Sequence, residues 1–130
     1  MSTQRIAPLS EFQWEELEHY RGQMERFIRA EDLEFYPSPG FKLELIRSVL
    51  EAGVREPDTL KGMGVLLGDA LVADCGFTWV MIRDRHGVEL GLFHPRSRLV
   101  VFPMDMVRRR VEAGLDFDVV ELFREVERQL

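Results

Sequence analysis

The residues best able to do chemistry in this sequence are its three histidines, His19, His86 and His94, and its one cysteine, Cys75. No two of them have a metal-ligand spacing such as two histidines four residues apart. His86 and His94 stand at opposite ends of a predicted β-hairpin, too far apart in extended chain to share one ion. The sequence therefore predicts no metal site and no cofactor.

The remaining candidates for catalysis, Cys75 and the pair of Asp84 and His86, have simpler structural explanations. Cys75 is predicted to end a helix, where the negative end of the helix dipole disfavours a thiolate, so we interpret it as a buried structural cysteine. Asp84 and His86 could form an acid–base pair in a loop, but aspartate is common at the first position of a turn. We assign no catalytic residue and favour a protein that is not an enzyme.

One end of the predicted sheet offers an alternative site. His94 is expected opposite Thr78 in the hairpin, and Arg96 follows in the next turn. A pocket lined by these three side chains could bind a small molecule or carry out hydrolysis. We keep this small-molecule or hydrolytic function as the alternative to the binding function argued below.

Three glycines within residues 62–68 have the spacing of a loosened dinucleotide-binding motif. That motif requires a strand before the glycines, and residues 55–59 do not form one, so we reject it. Gly64 and Gly68 instead lie four residues apart on one face of a predicted helix. They predict a close approach by another part of the chain.

Helical periodicity predicts three helices before residue 76. Ser10 and Gln13 have the spacing of a capping box at the start of the first helix, and Ser38 caps the second. The third helix runs from Pro57 to about Cys75. The buried stripe of the first helix is predicted to contain Trp14, Leu17, Met24 and Ile28.

From residue 77 the apolar period changes to 2, which predicts strands at 77–83, 88–94 and 98–102 in an antiparallel meander. A turn at 84–87 predicts that Asp84 lies opposite Val88 and Trp79 opposite Phe93. Two helices follow, at 104–113 and after Asp118. The fold class is therefore α+β, with N-terminal helices, a three-stranded meander, and two C-terminal helices packed on the sheet.

Both faces of this predicted sheet are apolar. One face would contain four aliphatic residues: Val80, Ile82, Leu90 and Leu92. The other would contain Trp79, Met81 and Phe93. Because a sheet exposed on one side usually carries polar residues there, either helices cover both faces or the second face binds a partner. Trp79, Met81 and Phe93 are the predicted partner-binding residues.

The composition fits one soluble domain, since 130 residues are 45% hydrophobic and 31% charged. Residues 1–9 precede the predicted helices and are a candidate disordered tail. A net charge of −6 disfavours nucleic acid as a partner, and no apolar run is long enough to span a membrane. One cysteine and the absence of a secretory leader are consistent with a cytoplasmic protein.

Four segments occur in a fixed order: residues 67–71, residues 79–84, residues 101–107 and residues 110–114. Together they resemble the bacterial family of domain of unknown function 3806. The resemblance covers residues 60–123 and implies a small bacterial α+β domain. It implies no activity, cofactor or catalytic residue.

The leading hypothesis is a non-enzymatic protein-binding module, immunity-like or regulatory in role. Its motivation is the second apolar sheet face combined with the absence of a catalytic arrangement. An acidic protein associates faster with a basic partner, so the partner is expected to be another protein that is basic. A homodimer formed through Trp79 and Phe93 is a third hypothesis.

Overall fold

The computed structural model describes residues 4–130. Within this range the chain forms five α-helices, one short 3₁₀ helix and a four-stranded antiparallel sheet with the order β1-β2-β3-β4. The elements are β1 Arg5–Ala7, α1 Glu11–Glu25, the 3₁₀ helix Ala30–Phe35, α2 Pro39–Glu51, α3 Pro57–Cys75, β2 Thr78–Asp84, β3 Gly87–Phe93, β4 Val100–Val101, α4 Pro103–Glu112 and α5 Val119–Arg128. The predicted α+β class is confirmed, with one strand more than expected.

The additional strand, β1, lies in the predicted disordered tail. Its three residues pair with β2 in the register Arg5 with Arg83, Ile6 with Ile82, and Ala7 with Met81. All three are exposed, so no alternation of buried and exposed positions marked them as a strand. The hydrogen bonds of β1 come from a strand far away in sequence. Residues 1–3 of the predicted tail lie outside the described residues.

Helix starts lie where the sequence predicts them because their caps are local. The Ser10 hydroxyl accepts a hydrogen bond from the backbone N–H of Gln13. In return, Oε1 of the Gln13 side chain accepts one from the backbone N–H of Ser10 at 2.8 Å. Ser38 caps α2, and the Asp118 carboxylate accepts from the Val120 amide at 2.9 Å. Each cap satisfies an amide that the first helical turn leaves free.

The core is built around α3, which contacts α1, α2, α4 and α5. Leu17 and Met24 of α1 are fully buried, as predicted. Trp14 is 47% exposed, so its place in the buried stripe was wrong. The helical period puts Trp14 near the boundary of that stripe, and whether a boundary residue is buried depends on the element that packs against it. In the described chain, no helix is both long and apolar enough to cross a membrane.

The predicted close approach at Gly64 and Gly68 is confirmed. A Cβ atom on Gly64 would lie 2.3 Å from the Cα atom of Met104, at the start of α4. A Cβ atom on Gly68 would lie 2.3 Å from Cζ2 of Trp79. The two glycines therefore allow α4 and the Trp79 ring to pack closely against α3. The close approach is made by other parts of the same chain.

The predicted hairpin register was wrong by one residue. Asp84 pairs with Gly87, and the turn between them contains only Arg85 and His86. The Asp84 carboxylate accepts a hydrogen bond from the His86 amide at 2.7 Å, which stabilises this tight turn. Gly87 joins the strand at φ 129°, a conformation that glycine adopts readily because it lacks a Cβ atom.

This shift changes which side chains share a face. Trp79 pairs with Leu92 and Met81 with Leu90, so these four lie on one face. Phe93 pairs with Thr78 and lies on the other face, so the predicted face of Trp79, Met81 and Phe93 does not form. Trp79, Val80 and Ile82 are all buried, which shows that the middle of β2 is covered on both faces.

Candidate functional site

Two neighbouring cavities open beside Met81. One, of about 260 Å³, lies between α1, the β2–β3 hairpin and the start of α4. The other, of about 500 Å³, lies between β1, the start of α1 and the same hairpin. Gln13, Met81 and Val88 line both cavities. We call the pair the Met81 groove, and it is the candidate site.

The floor of the groove is apolar. Met81 of β2, Leu90 of β3 and Met104 of α4 are half-buried, and Val88 is 47% exposed. Tyr20 of α1 forms part of the wall, with the Lys61 ammonium 5.3 Å from the centre of its ring. The groove thus has an apolar surface bordered by polar groups, as ligand-binding sites commonly do.

The end of the groove near α4 is acidic. Glu89 and Asp105 both line the smaller cavity, and their carboxyl groups interact with each other. Asp105 is ion-paired with Arg108 at 2.9 Å. Partial burial, and then the nearby Asp105 carboxyl, raise the pKa of Glu89. A cationic group bound here would relieve the repulsion between the two carboxylates.

Glu89→Gln is expected to raise the melting temperature slightly at pH 7. The folded pKa of Glu89 is raised above its ordinary value of 4.5, so its contribution to stability is present at low pH and lost as pH rises through the folded pKa. The stabilisation by Glu89→Gln should therefore shrink as the pH falls from 7 to about 4. Thermal unfolding across this range measures it; a gain that is constant with pH would contradict the interpretation.

The structure separates the three predicted partner-binding residues. Met81 lies at the centre of the groove. Trp79 is only 4% exposed, and its indole nitrogen donates a hydrogen bond to Asp69 at 3.0 Å. Phe93 is half-buried on the opposite face, with the Arg98 guanidinium 5.6 Å from its ring centre. Of the three, Met81 alone lines the groove, whereas the sequence did not indicate Tyr20, Glu89 or Asp105.

The residues of the alternative small-molecule site lie elsewhere. Nε2 of His94 donates to the Cys75 carbonyl at 3.0 Å, and Nδ1 accepts from the Ser97 amide at 3.0 Å. Thr78 pairs with Phe93 rather than with His94, and Thr78 and Arg96 are both exposed. Both ring nitrogens of His94 are thus used to join the end of α3 to the turn after β3. A ligand-binding role for these residues stays a prediction.

His94→Ala is expected to lower the free energy of unfolding by about 1–2 kcal/mol, because it removes the hydrogen bonds of both ring nitrogens. Its edge-to-face contact with Phe77 would also be lost. Urea denaturation measures the change, and Arg96→Ala, at an exposed position two residues later, is the matched control. If the His94→Ala protein were as stable as the wild type but lost a ligand-dependent rise in melting temperature, the ligand-binding alternative would replace the structural role.

Cys75 is half-buried rather than buried as predicted, and it lies beside two carboxylates, that of its neighbour Asp74 and that of Glu127 in α5. Its sulfur and the carboxylate oxygens of Asp74 and Glu127 lie within 4.8 Å of one another. Burial, and then the charges of Glu127 and Asp74, raise the pKa of the Cys75 thiol. Because metals and nucleophilic chemistry both use the thiolate, this environment favours neither.

These elements define a small α+β domain in which an antiparallel sheet packs beside helices arranged around α3. The chain belongs to the family described as Domain of unknown function (DUF3806), whose model matches residues 42–123. This confirms the resemblance inferred from residues 60–123, although the match begins earlier, within α2. The groove combines residues inside this match with α1 and β1 residues that precede it.

The fold also occurs in a solved structure. The chain is similar to a crystal structure from Bacteroides thetaiotaomicron VPI-5482, with 16% sequence identity and a TM-score of 0.70. The similarity covers 95% of this chain and 47% of the other, so this chain spans about half the length of that protein. No curated protein matches the sequence.

Proposed function

We propose that the protein is a non-enzymatic binding module that holds a segment of another protein in the Met81 groove. One observation carries this proposal: the apolar floor of the groove is open. Met81, Leu90 and Val88 retain exposed surface, whereas Trp79 and Leu92 on the same sheet face are buried. An uncovered apolar surface with a polar rim is the usual character of a docking site.

The acidic end of the groove supports a partner segment that carries a basic side chain. Asp105 is ion-paired with Arg108 at 2.9 Å and with Arg109 at 3.9 Å, and the charge of Arg109 also favours ionised Glu89, but Glu89 itself has no ion pair among residues 4–130. A lysine or arginine from the partner would supply the missing charge. The net charge of −6 would also raise the association rate with a basic protein. An immunity-like or regulatory role would use such a surface.

The shape of the groove supports a segment of chain as the ligand. Its two cavities, of about 260 and 500 Å³, share the lining side chains of Gln13, Met81 and Val88. An extended segment could place alternate side chains in the two cavities, since residues i and i+2 of a strand point the same way. A homodimer through Trp79 and Phe93 has less support, because these residues lie on opposite faces.

Selection of a random peptide library against the full chain tests the proposal. Peptides with apolar residues and at least one lysine or arginine should be enriched. Met81→Glu and Val88→Glu should each weaken their binding tenfold or more, which corresponds to about 1.4 kcal/mol. Leu115→Glu, at a residue that is 60% exposed and outside the groove, is the matched control.

Melting temperatures show whether each variant is folded, and Val88→Glu protects the test if Met81→Glu is unstable. The proposal is overturned if the library yields no binders. It is also overturned if the selected peptides bind the Met81→Glu and Val88→Glu proteins as tightly as the wild type, because the binding surface then lies elsewhere.

A further inference from the structure

Two arginines lie side by side at the β1 end of the Met81 groove. Arg5 and Arg83 are partners in the β1–β2 register, and both line the larger cavity. Antiparallel partners have Cα atoms roughly 4.5–5.5 Å apart and point to the same face. Both residues are exposed. The geometry therefore presents two guanidinium groups on the sheet face that contains Met81.

No acidic side chain in the described chain neutralises this pair. Within residues 4–130, neither Arg5 nor Arg83 has an ion pair or a side-chain hydrogen bond. The adjacent carboxylate, that of Asp84, accepts from the His86 amide in the turn. Like charges directly opposite each other disfavour an antiparallel pair, so an anion bound between the two arginines would relieve their repulsion.

We propose that Arg5 and Arg83 together bind a carboxylate of the partner segment, with a neighbouring apolar side chain of that segment against Ala7 and Met81. This inference rests on the proposed function and specifies its ligand. The planar guanidinium group matches a carboxylate with two parallel hydrogen bonds, and two guanidinium groups can hold both oxygens. Ala7 and Met81 are adjacent register partners on the same face.

The rest of the protein favours a single carboxylate over a polyanion. The net charge of −6 repels ligands with many negative charges, whereas one carboxylate needs only the local field of the two arginines. The groove is then polar along its length, basic at Arg5 and Arg83 and acidic at Glu89 and Asp105. A partner segment with an acidic residue near one end and a basic residue near the other fits this polarity.

Titration of the full chain with N-acetyl-leucine, observed by NMR at constant ionic strength, tests the site directly. This probe joins a carboxylate to an apolar side chain. The Nε–Hε signals of Arg5 and Arg83 and the methyl signal of Met81 should shift together and saturate, with a dissociation constant on the order of millimolar. N-acetyl-leucinamide, which lacks the charge, should cause no saturable shift.

Arg83→Gln should abolish the saturable shift at Arg5 while leaving the melting temperature unchanged or higher, because it removes like-charge repulsion. Arg85→Gln, at an exposed arginine in the adjacent turn, is the control and should bind normally. The inference is overturned if no signal saturates, if Arg83→Gln has no effect, or if inorganic phosphate binds more tightly than N-acetyl-leucine.

The two proposals fail separately. One outcome is that library peptides bind through Met81 without enrichment of aspartate or glutamate and without loss of affinity for the Arg83→Gln protein. The proposed carboxylate site is then wrong, and the protein-binding function of the Met81 groove is still supported. If N-acetyl-leucine binds at Arg5 and Arg83 but no peptide is selected, the carboxylate site stands and the protein-binding function is wrong.

Discussion

Asp69→Ala is expected to lower the free energy of unfolding by about 3 kcal/mol. The Asp69 carboxylate accepts two hydrogen bonds from the Arg21 guanidinium, both at 2.8 Å, and a third from Trp79 Nε1 at 3.0 Å. It thereby joins α1, α3 and β2 at one point. The pair is largely shielded from water, since the Arg21 and Asp69 side chains are 18% and 14% exposed.

The cost arises from the groups that the substitution leaves behind. Without Asp69, the guanidinium keeps only its contact with Glu18, a side chain that is itself well exposed. The Trp79 indole N–H loses its acceptor while the ring stays buried. A cation that keeps only an exposed partner and a buried donor that has none are each penalised, and the two penalties act together.

Urea denaturation at pH 7 measures this change. Asp74→Ala, at an exposed aspartate later in the same helix, is the matched control and should change stability by less than about 0.5 kcal/mol. Asp69→Asn should fall between the wild type and Asp69→Ala, because its amide oxygen can still accept from Trp79. Equal stabilities for Asp69→Ala and Asp74→Ala would show that the three hydrogen bonds contribute nothing net.

Gly64→Ala is expected to lower the free energy of unfolding by up to about 2 kcal/mol, although alanine is the better helix former. The added Cβ would lie 2.3 Å from the Met104 Cα, a backbone atom that no side-chain rotation can move away. Forcing extra atoms into a packed core typically costs about 1–3 kcal/mol, and the strain here exceeds the roughly 1 kcal/mol gained in helix propensity.

Gly22→Ala is the matched control for this prediction. Gly22 lies inside α1, and a Cβ added there would meet no atom within 4 Å. Only the gain in helix propensity then applies, so Gly22→Ala should raise the free energy of unfolding by up to about 1 kcal/mol. Opposite signs for the two substitutions, measured by denaturation, confirm that α4 packs against α3 at Gly64. A stabilising Gly64→Ala would mean that this contact is looser than the structure has it.

Several elements could be predicted from the sequence because the interactions that form them are local. Ser10 caps α1 through Gln13, three residues away, and Ser38 and Asp118 cap their helices in the same manner. The close packing at Gly64 and Gly68 was also predictable, since two glycines on one helix face leave room for a neighbour. The identity of that neighbour, Met104 or Trp79, was not.

The candidate site could be predicted only in part. Met81 was selected because it is apolar and was predicted to lie on the sheet face opposite the aliphatic one. Tyr20, Glu89 and Asp105 were missed because they come from three elements whose relative position depends on the whole fold. Arg5 was missed for a related reason, since β1 is a strand only through its pairing with β2.

The sequence by itself determined the α+β class, the family, the helix starts and the meander of strands, because caps, glycines and periodicity act over a few residues. It did not determine the end of the first helix, since the predicted buried stripe included Ile28 whereas α1 ends at Glu25 and a 3₁₀ helix follows at Ala30–Phe35. Tertiary structure decided the hairpin register, the face on which each strand residue lies, and the groove beside Met81. The register depended on a choice between two turns that differ by one residue, with Gly87 tolerating the tighter one. A one-residue slip reverses the faces along a strand, so the register that forms is the one that places Trp79 and Leu92 together on a buried face, which depends on the helices packed there.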